Sequence, residues 1–244
     1  MKYLGSKNRI AFDILPIMLK GMKREETFVD AFCGGCNLLD KVSDMFHRIG
    51  NDKNKYLVAM WVWLIRYGWN PPMEIDRELY NKYRKYFYEN KFDDDTSVSM
   101  YDAEVGWYGF MGSFNGRFFD GGYSGHNVNG RDYIGEQIRN TLAQIPKLKG
   151  IDWYYSDYDK IPLPEHSTIY CDIPYKDTKQ YSTSKNFDYE RFYEWCRGMK
   201  QKGHRIFVSE YQMPEDFKCV WEKQITNAMN QKKTYKPTER LFTL

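Results

Sequence analysis

Apolar residues along the first sixty positions alternate between two periods. Over residues 9–23 they fall at helical spacing, at Ile10, Ile14, Leu15, Ile17, Met18 and Met22, which predicts an amphipathic helix. After the polar turn Lys23–Glu26, the run Thr27-Phe28-Val29-Asp30-Ala31-Phe32 is rich in β-formers and predicts a strand. Cys33-Gly34-Gly35 predicts a sharp turn, and Asn37–Val42 the start of a helix. His47–Asp52 predicts a second, short strand with an acidic end. Helical spacing returns over Asn54–Leu64 through Tyr56, Leu57, Met60, Trp61 and Leu64.

From Tyr67 to Leu148 the pattern changes. Residues 76–92 predict an aromatic-rich helix, and Asp93-Asp94-Asp95 a solvated break. Residues 101–123 crowd eight aromatic residues among glycines, without a clear period. Residues 131–149 predict another helix through Ile134, Ile138, Leu142 and Ile145. The strand and helix rhythm then resumes, with strands at 152–155, 168–171, 205–208 and 217–225 and a helix at 188–202. Lys232–Leu244 is polar and predicts loose chain up to its last few residues. Alternating strands and helices at both ends predict an α/β fold with a mostly parallel twisted sheet. The expected division is one domain from residues 1–64 and 151–244, with 65–150 as an inserted helical lobe.

Composition narrows the class. The 244 residues are 42% hydrophobic and 18% aromatic, ample for a packed core. No apolar run approaches the ~20 residues of a membrane span, and Met1–Lys7 lacks a signal-peptide stretch. A cytoplasmic protein is expected. Five cysteines suit reduced thiols. Cys33 and Cys36 form a Cys-Gly-Gly-Cys, which alone could be a redox pair or half a zinc site. The other cysteines and the four histidines show no metal-ligand spacing, so no metal is expected. The formal net charge is only +3, and residues 61–150 hold 11 Lys and Arg against 12 Asp and Glu. A nucleic-acid partner would have to be met by local placement of Lys and Arg.

Four short segments carry candidate chemistry. In Cys171-Asp172-Ile173-Pro174-Tyr175 an acid ends an apolar strand and a proline stops it. Ligands bind at the carboxyl ends of strands in open α/β sheets; a simple cap for the next element is the other explanation. In Phe28–Cys36 a strand runs into a glycine turn. Asp30 at its end argues for a ligand bearing a positive amine rather than a phosphate, or the segment is an ordinary βα turn. Asp52 lies 22 residues beyond Asp30, at the next strand end, where it could accept ribose hydroxyls or cap the following helix. Tyr3-Leu4-Gly5-Ser6-Lys7 is either a binding element or a solvated terminus.

In their order these segments resemble the DNA adenine methylase family: Tyr-x-Gly-x-Lys, a Phe-x-Gly-x-Gly loop, an acidic strand end, a recognition lobe, then Asp-x-Pro-Tyr. The resemblance runs from residue 3 to about residue 211. Two positions depart from it: Ile173 replaces the first proline of the motif, and Cys36 stands where the family more often has glycine. The resemblance implies a Rossmann-like methyltransferase fold with a helical and β-hairpin DNA-recognition lobe. It implies S-adenosyl-L-methionine as cofactor and N6 of a flipped adenine in double-stranded DNA as acceptor. It further implies contacts to the cofactor from Tyr3, Lys7, Asp30, Phe32, Gly34, Asp52 and Asp172. Lys7 would meet the methionine carboxylate and Asp52 the ribose, with Asp157-Tyr158 near the cofactor adenine. Asp172, Pro174 and Tyr175 would be catalytic. The run Phe110–Phe119 resembles a family hairpin at the duplex, and Asn115, Arg117, Asn127 and Arg131 are residue types that reach bases or phosphates, or plain surface residues. A monomer or weak dimer of phage or mobile-element type is expected, with or without a restriction–modification partner. The remaining alternatives are cytosine-N4, RNA or a protein amine as acceptor, a catalytically silent DNA-binding homologue, and a redox protein built on Cys33 and Cys36.

Overall fold

A computed structural model of the chain describes residues 1–90, 97–126, 129–176, 187–224 and 238–244. Asp93–Asp95, Asn127 and Lys232–Pro237, all named above, lie outside the described residues. Seven strands form one sheet in the order β3-β2-β1-β4-β5-β7-β6. They are β1 (Thr27–Asp30), β2 (His47–Asp52), β3 (Ile151–Tyr155), β4 (Thr168–Asp172), β5 (Arg205–Ser209), β6 (Lys218–Gln224) and β7 (Thr238–Thr243). Only β7 runs against its neighbours β5 and β6; the other pairings are parallel. β1 is buried at every position, as a central strand covered on both faces should be.

Strand residues alternate between two cores. Phe28, Tyr170, Phe207 and Leu241 pack with helices α1 (Ala11–Leu19) and α2 (Lys55–Ile65). Val29, Ile49, Ile169, Cys171, Ile206 and Val208 pack on the other face with α6 (Tyr189–Gln201). The chain winds from β1 outward through β2 to β3, then crosses to β4 and β5 on the far side of β1. The order therefore reverses between β1 and β4, and the crevice at their carboxyl ends is where this architecture binds ligands.

The residues between α2 and β3 contribute α3 (Arg77–Glu89), α4 (Met100–Gly112) and α5 (Tyr133–Leu142). Their apolar side chains share one continuous cluster with α1 and α2. Helix α4 escaped the periodicity reading because it is buried nearly all round and so has no polar stripe. Ser99 and Asp102 close a capping box at its start. A Cβ on Gly106 would lie 2.2 Å from the Tyr56 carbonyl of α2, so glycine is what lets the two backbones touch. Lys55 of α2 and Asp102 of α4 form a buried ion pair at 3.7 Å.

Two other expectations need correction. Asn37–Val42 makes only the 3-10 turn Leu39–Lys41. The run is too short to sustain a helix, and the Asn37 amide instead donates to the Met1 carbonyl at 3.0 Å. Phe110–Phe119 is the end of α4 followed by the 3-10 turn Phe114–Gly116; among the described residues one antiparallel bridge, Ser113 to Tyr123, stands in place of a hairpin. The last residues of the chain, beyond the polar stretch, form the strand β7, slotted between β5 and β6.

Glycine chemistry gives two opposite expectations. Gly106→Ala should destabilise the protein by about 1–3 kcal/mol through overpacking at the α2–α4 contact. Gly198→Ala, in α6 with nothing within 4 Å of an added Cβ, should stabilise it by about 0.5–1 kcal/mol. Urea unfolding midpoints check both signs.

Candidate active site

Three acids converge on the reversal point because each ends a parallel strand: Asp30 on β1, Asp52 on β2 and Asp172 on β4. Asp30 is 2% exposed, and its Oδ1 is buried with no hydrogen-bond partner in the structure. Burial, reinforced by the nearby Asp172, pushes its carboxyl well above the usual range. An orphaned buried acceptor of this kind is suited to a charged N–H donor from a ligand. Asp52 accepts from the Gly34 amide and the Asn54 amide, both at 2.9 Å. The cap of α2 belongs to Asn54, whose side chain accepts from the Leu57 amide. Asp52 is therefore not needed as a helix cap, and its carboxylate can accept further bonds.

The glycine turn is shaped by Tyr3. A Cβ on Gly34 would lie 2.6 Å from the Tyr3 ring, and one on Gly35 2.7 Å from the Tyr3 Cβ. Gly34 also has φ +48°. No α-helix follows the turn, so it lacks the positive helix end a phosphate would use. Cys33 and Cys36 are buried free thiols in this turn, and both are pushed up in pKa. They lack the exposed, thiolate-favouring surroundings of a redox pair. Phe32 faces an aromatic group, stacked on Tyr158 at 5.7 Å with Phe187 edge-on at 6.0 Å. Asp157 pairs with Lys53 at 2.8 Å.

Lys7 lies on Asp172. Its Nζ is 2.7 Å from Oδ1 and 2.9 Å from Oδ2, donates to the Gly5 carbonyl at 3.0 Å, and sits 4.7 Å from the centre of the Tyr175 ring. Asp172 keeps 21% of its side chain exposed. Burial raises its carboxyl, and the Lys7 ammonium acts against that rise. Ile173 is 2% exposed and packs in the α6-side core. Its side chain is a core residue, which accounts for an aliphatic residue where the family has proline. The Pro174 carbonyl accepts from the Tyr189 hydroxyl at 2.9 Å. The Tyr175 hydroxyl donates to Glu239 at 2.6 Å. The Lys176 amide donates to Glu210, a 2%-exposed acid whose pKa is raised by burial to about 7.

Glu210, Glu239, Tyr189 and Asn51 were not singled out in the sequence. Asn51 is 1% exposed and ties the strand ends together, donating to the Ala31 and Ser156 carbonyls. Glu210 had a signal, an acid just past the apolar run ending at Ser209. Glu239 had none, because β7 lacks a clear pattern.

The DNA-binding candidates are not all together. Asn115, at φ 59°, and Arg131 line one recess with Lys2, Ser113 and Tyr133. Arg131 is engaged by Glu136 in two bonds of 2.8 and 2.9 Å, and its guanidinium lies 4.9 Å from the Tyr133 ring centre. Arg117 lies outside that recess, with its Nε buried and unpartnered among the described residues. The described residues hold no group of three or more His, Cys, Asp or Glu placed for a metal ion, and no helix long and apolar enough to cross a membrane.

The fold is that of a Rossmann-like methyltransferase, and an acid, a rigid turn and an aromatic face stand at its β1/β4 crevice. The chain belongs to the D12 class N6 adenine-specific DNA methyltransferases, matching that family over residues 3–237. It is an enzyme that transfers a methyl group from S-adenosylmethionine to N6 of adenine in DNA. The family decides for adenine over cytosine-N4, RNA or a protein amine. A comparison with curated proteins finds no match.

The two opposing influences on Asp172 can be separated. Lys7→Gln removes the one that lowers its pKa and leaves burial in place. The Asp172 carboxyl should then titrate at a higher pH than in the wild type, read by carbon-13 NMR of aspartate-labelled protein; an unchanged midpoint would show that Lys7 does not act on it.

Proposed function

We propose that the Lys7–Asp172–Tyr175 cluster marks the place where the target adenine amine reacts. The observation that carries this is the Lys7 ammonium itself, bonded to the Asp172 carboxylate and lying over the Tyr175 ring. A nitrogen bearing N–H groups is held there between an acceptor and an aromatic face. An extruded adenine offers the same two features, an amino group and a flat ring. The base must leave the duplex stack to bring its amine there.

The adenine amine is a poor nucleophile because its lone pair is delocalised into the ring. Asp172 would accept one N–H, and a backbone carbonyl of the turn the other. Since the Pro174 carbonyl is bonded to Tyr189, the Ile173 carbonyl is the acceptor we assign. Two such bonds favour a pyramidal nitrogen with its lone pair aimed outward. Asp172 also stabilises the positive charge that develops on nitrogen and is suited to take the proton, since burial has made it more basic. Pro174 stiffens the turn, and Tyr175 holds the base plane.

The cofactor, when bound, supplies an electrophilic methyl group on a sulfonium. The residues at the crevice fit it. The unpartnered Asp30 Oδ1 suits its ammonium group, Asp52 its ribose hydroxyls, and the Phe32 and Tyr158 rings its adenine. Gly34 and Tyr3 would form the wall of that site. Lys7 would hold its carboxylate, which frees Asp172 for the incoming amine. Residues 65–150 would meet double-stranded DNA through Asn115, Arg117 and Arg131, with the enzyme acting in the cytoplasm as a monomer or weak dimer.

Asp172→Ala should lower methyl transfer to DNA by about 10²–10³ or more with an unchanged melting temperature; near-wild-type turnover would sink this mechanism. Asp52→Ala should weaken cofactor binding by about 10–100-fold in calorimetry, the value of one or two charged hydrogen bonds. Unchanged affinity would remove Asp52 from the ribose.

A further inference from the structure

We propose that Glu239 is a positioning residue for methyl transfer, fixing the plane of the Tyr175 ring against which the target base lies. The inference rests on the role given above to Tyr175. Glu239 reaches the site because β7 is the reversed strand. Its first residues, rather than its last, lie at the edge where β4 and β5 end. The register pairs Ser209 with Leu241, so Glu239 stands beyond the end of β5. There Arg240 donates to the Tyr211 carbonyl at 2.6 Å and anchors the strand to the loop after β5.

The Tyr175 ring is gripped on three sides. Its hydroxyl donates to the Glu239 Oε2 at 2.6 Å, a charge-assisted bond of the short, strong kind. Tyr211 meets it edge-on, with ring centres 4.6 Å apart at 75°. The Lys7 ammonium lies 4.7 Å from its centre. The hydroxyl bond holds the far end of the ring, where a small rotation about the side-chain bonds moves the atoms most. Glu239 is 8% exposed, so water competes weakly for the bond. A buried carboxylate persists in a fold when it has such a donor. Base and methyl donor must meet within a narrow range of angle and distance, and misplacement of about 1 Å costs up to about 100-fold in rate.

The test compares single and double variants in steady-state methylation of DNA, with melting temperature as the check on folding. Glu239→Ala should lower kcat about 10–100-fold while the KM for S-adenosylmethionine stays within about threefold. Glu239→Gln, whose amide oxygen still accepts the hydroxyl, should restore most of that loss. Tyr175→Phe removes the same bond from the other side. The double variant Tyr175→Phe with Glu239→Ala should be no slower than the slower single variant, because both changes break one interaction. If Glu239→Ala does not fold, the Tyr175→Phe and Glu239→Gln pair carries the comparison. Wild-type kcat in Glu239→Ala, multiplying losses in the double variant, or a Glu239→Gln as slow as the alanine variant would each overturn the proposal. Tyr175→Ala separates the two levels: if it is slow while Glu239→Ala is not, only the positioning role falls. If it keeps wild-type kcat, the base-holding role of Tyr175 falls as well.

Discussion

The site is governed by a shortage of positive charge. Asp30, Asp52, Asp172, Glu210 and Glu239 gather at the carboxyl edge of the sheet, and among the described residues Lys7 is the cation bonded within that group. Withdrawing carboxylates from water is costly unless each finds a donor. Asp52 and Glu210 meet the cost with backbone amides, Glu239 with a tyrosine hydroxyl and Asp172 with Lys7. Asp30 keeps an oxygen without a donor. On the proposed placement, a cofactor carrying a sulfonium and an ammonium would relieve the imbalance, so that affinity for the ligand and electrostatic strain in its absence would have one origin.

The same shortage explains the attention the fold gives to its first residues. Lys7 can serve Asp172 only if the preceding segment is fixed. That segment is fixed between the glycine turn and α5. The Lys2 amide and carbonyl both bond to the Gln137 side chain of α5, at 2.8 and 2.9 Å. Gly116 lets the chain pass where a Cβ would lie 2.2 Å from the Lys2 carbonyl oxygen. From the far end of α5, Gln144 donates to the Gly35 carbonyl of the turn at 3.2 Å. Residues 1–7 thus touch both the α5 region and the glycine turn, and Gln144 joins those two directly. A shift at either can be felt at the other through packed, hydrogen-bonded atoms.

Much of this arrangement was legible in the sequence, for a physical reason. Parallel strands are buried on both faces, so β1 and β4 appear as apolar runs, and an acid at the end of such a run stands out. Asp30 and Asp172 stand out that way, Asp52 by its spacing beyond the glycine turn, and the order of motifs then points to the family. What was hidden lacked contrast. Helix α4 has no polar side, β7 has no clean alternation, and Asn37–Val42 carries a helical pattern that its surroundings do not use. Lys7 was recognised as a site residue, but its bond to Asp172 joins positions 165 apart in sequence, which no local pattern encodes. Glu239 was invisible for both reasons, distance and a weakly patterned strand.

The reversed strand β7 also bears on how the enzyme comes to life. It follows both β5 and β6 in sequence yet lies between them, so the sheet is continuous from β5 to β6 only with β7 in place. Lys7, Asp172 and Glu239 can meet only once long loops have closed around the parallel core, the slow part of folding for such topologies. The completed tyrosine face is a property of the whole sheet, not of its parallel part alone.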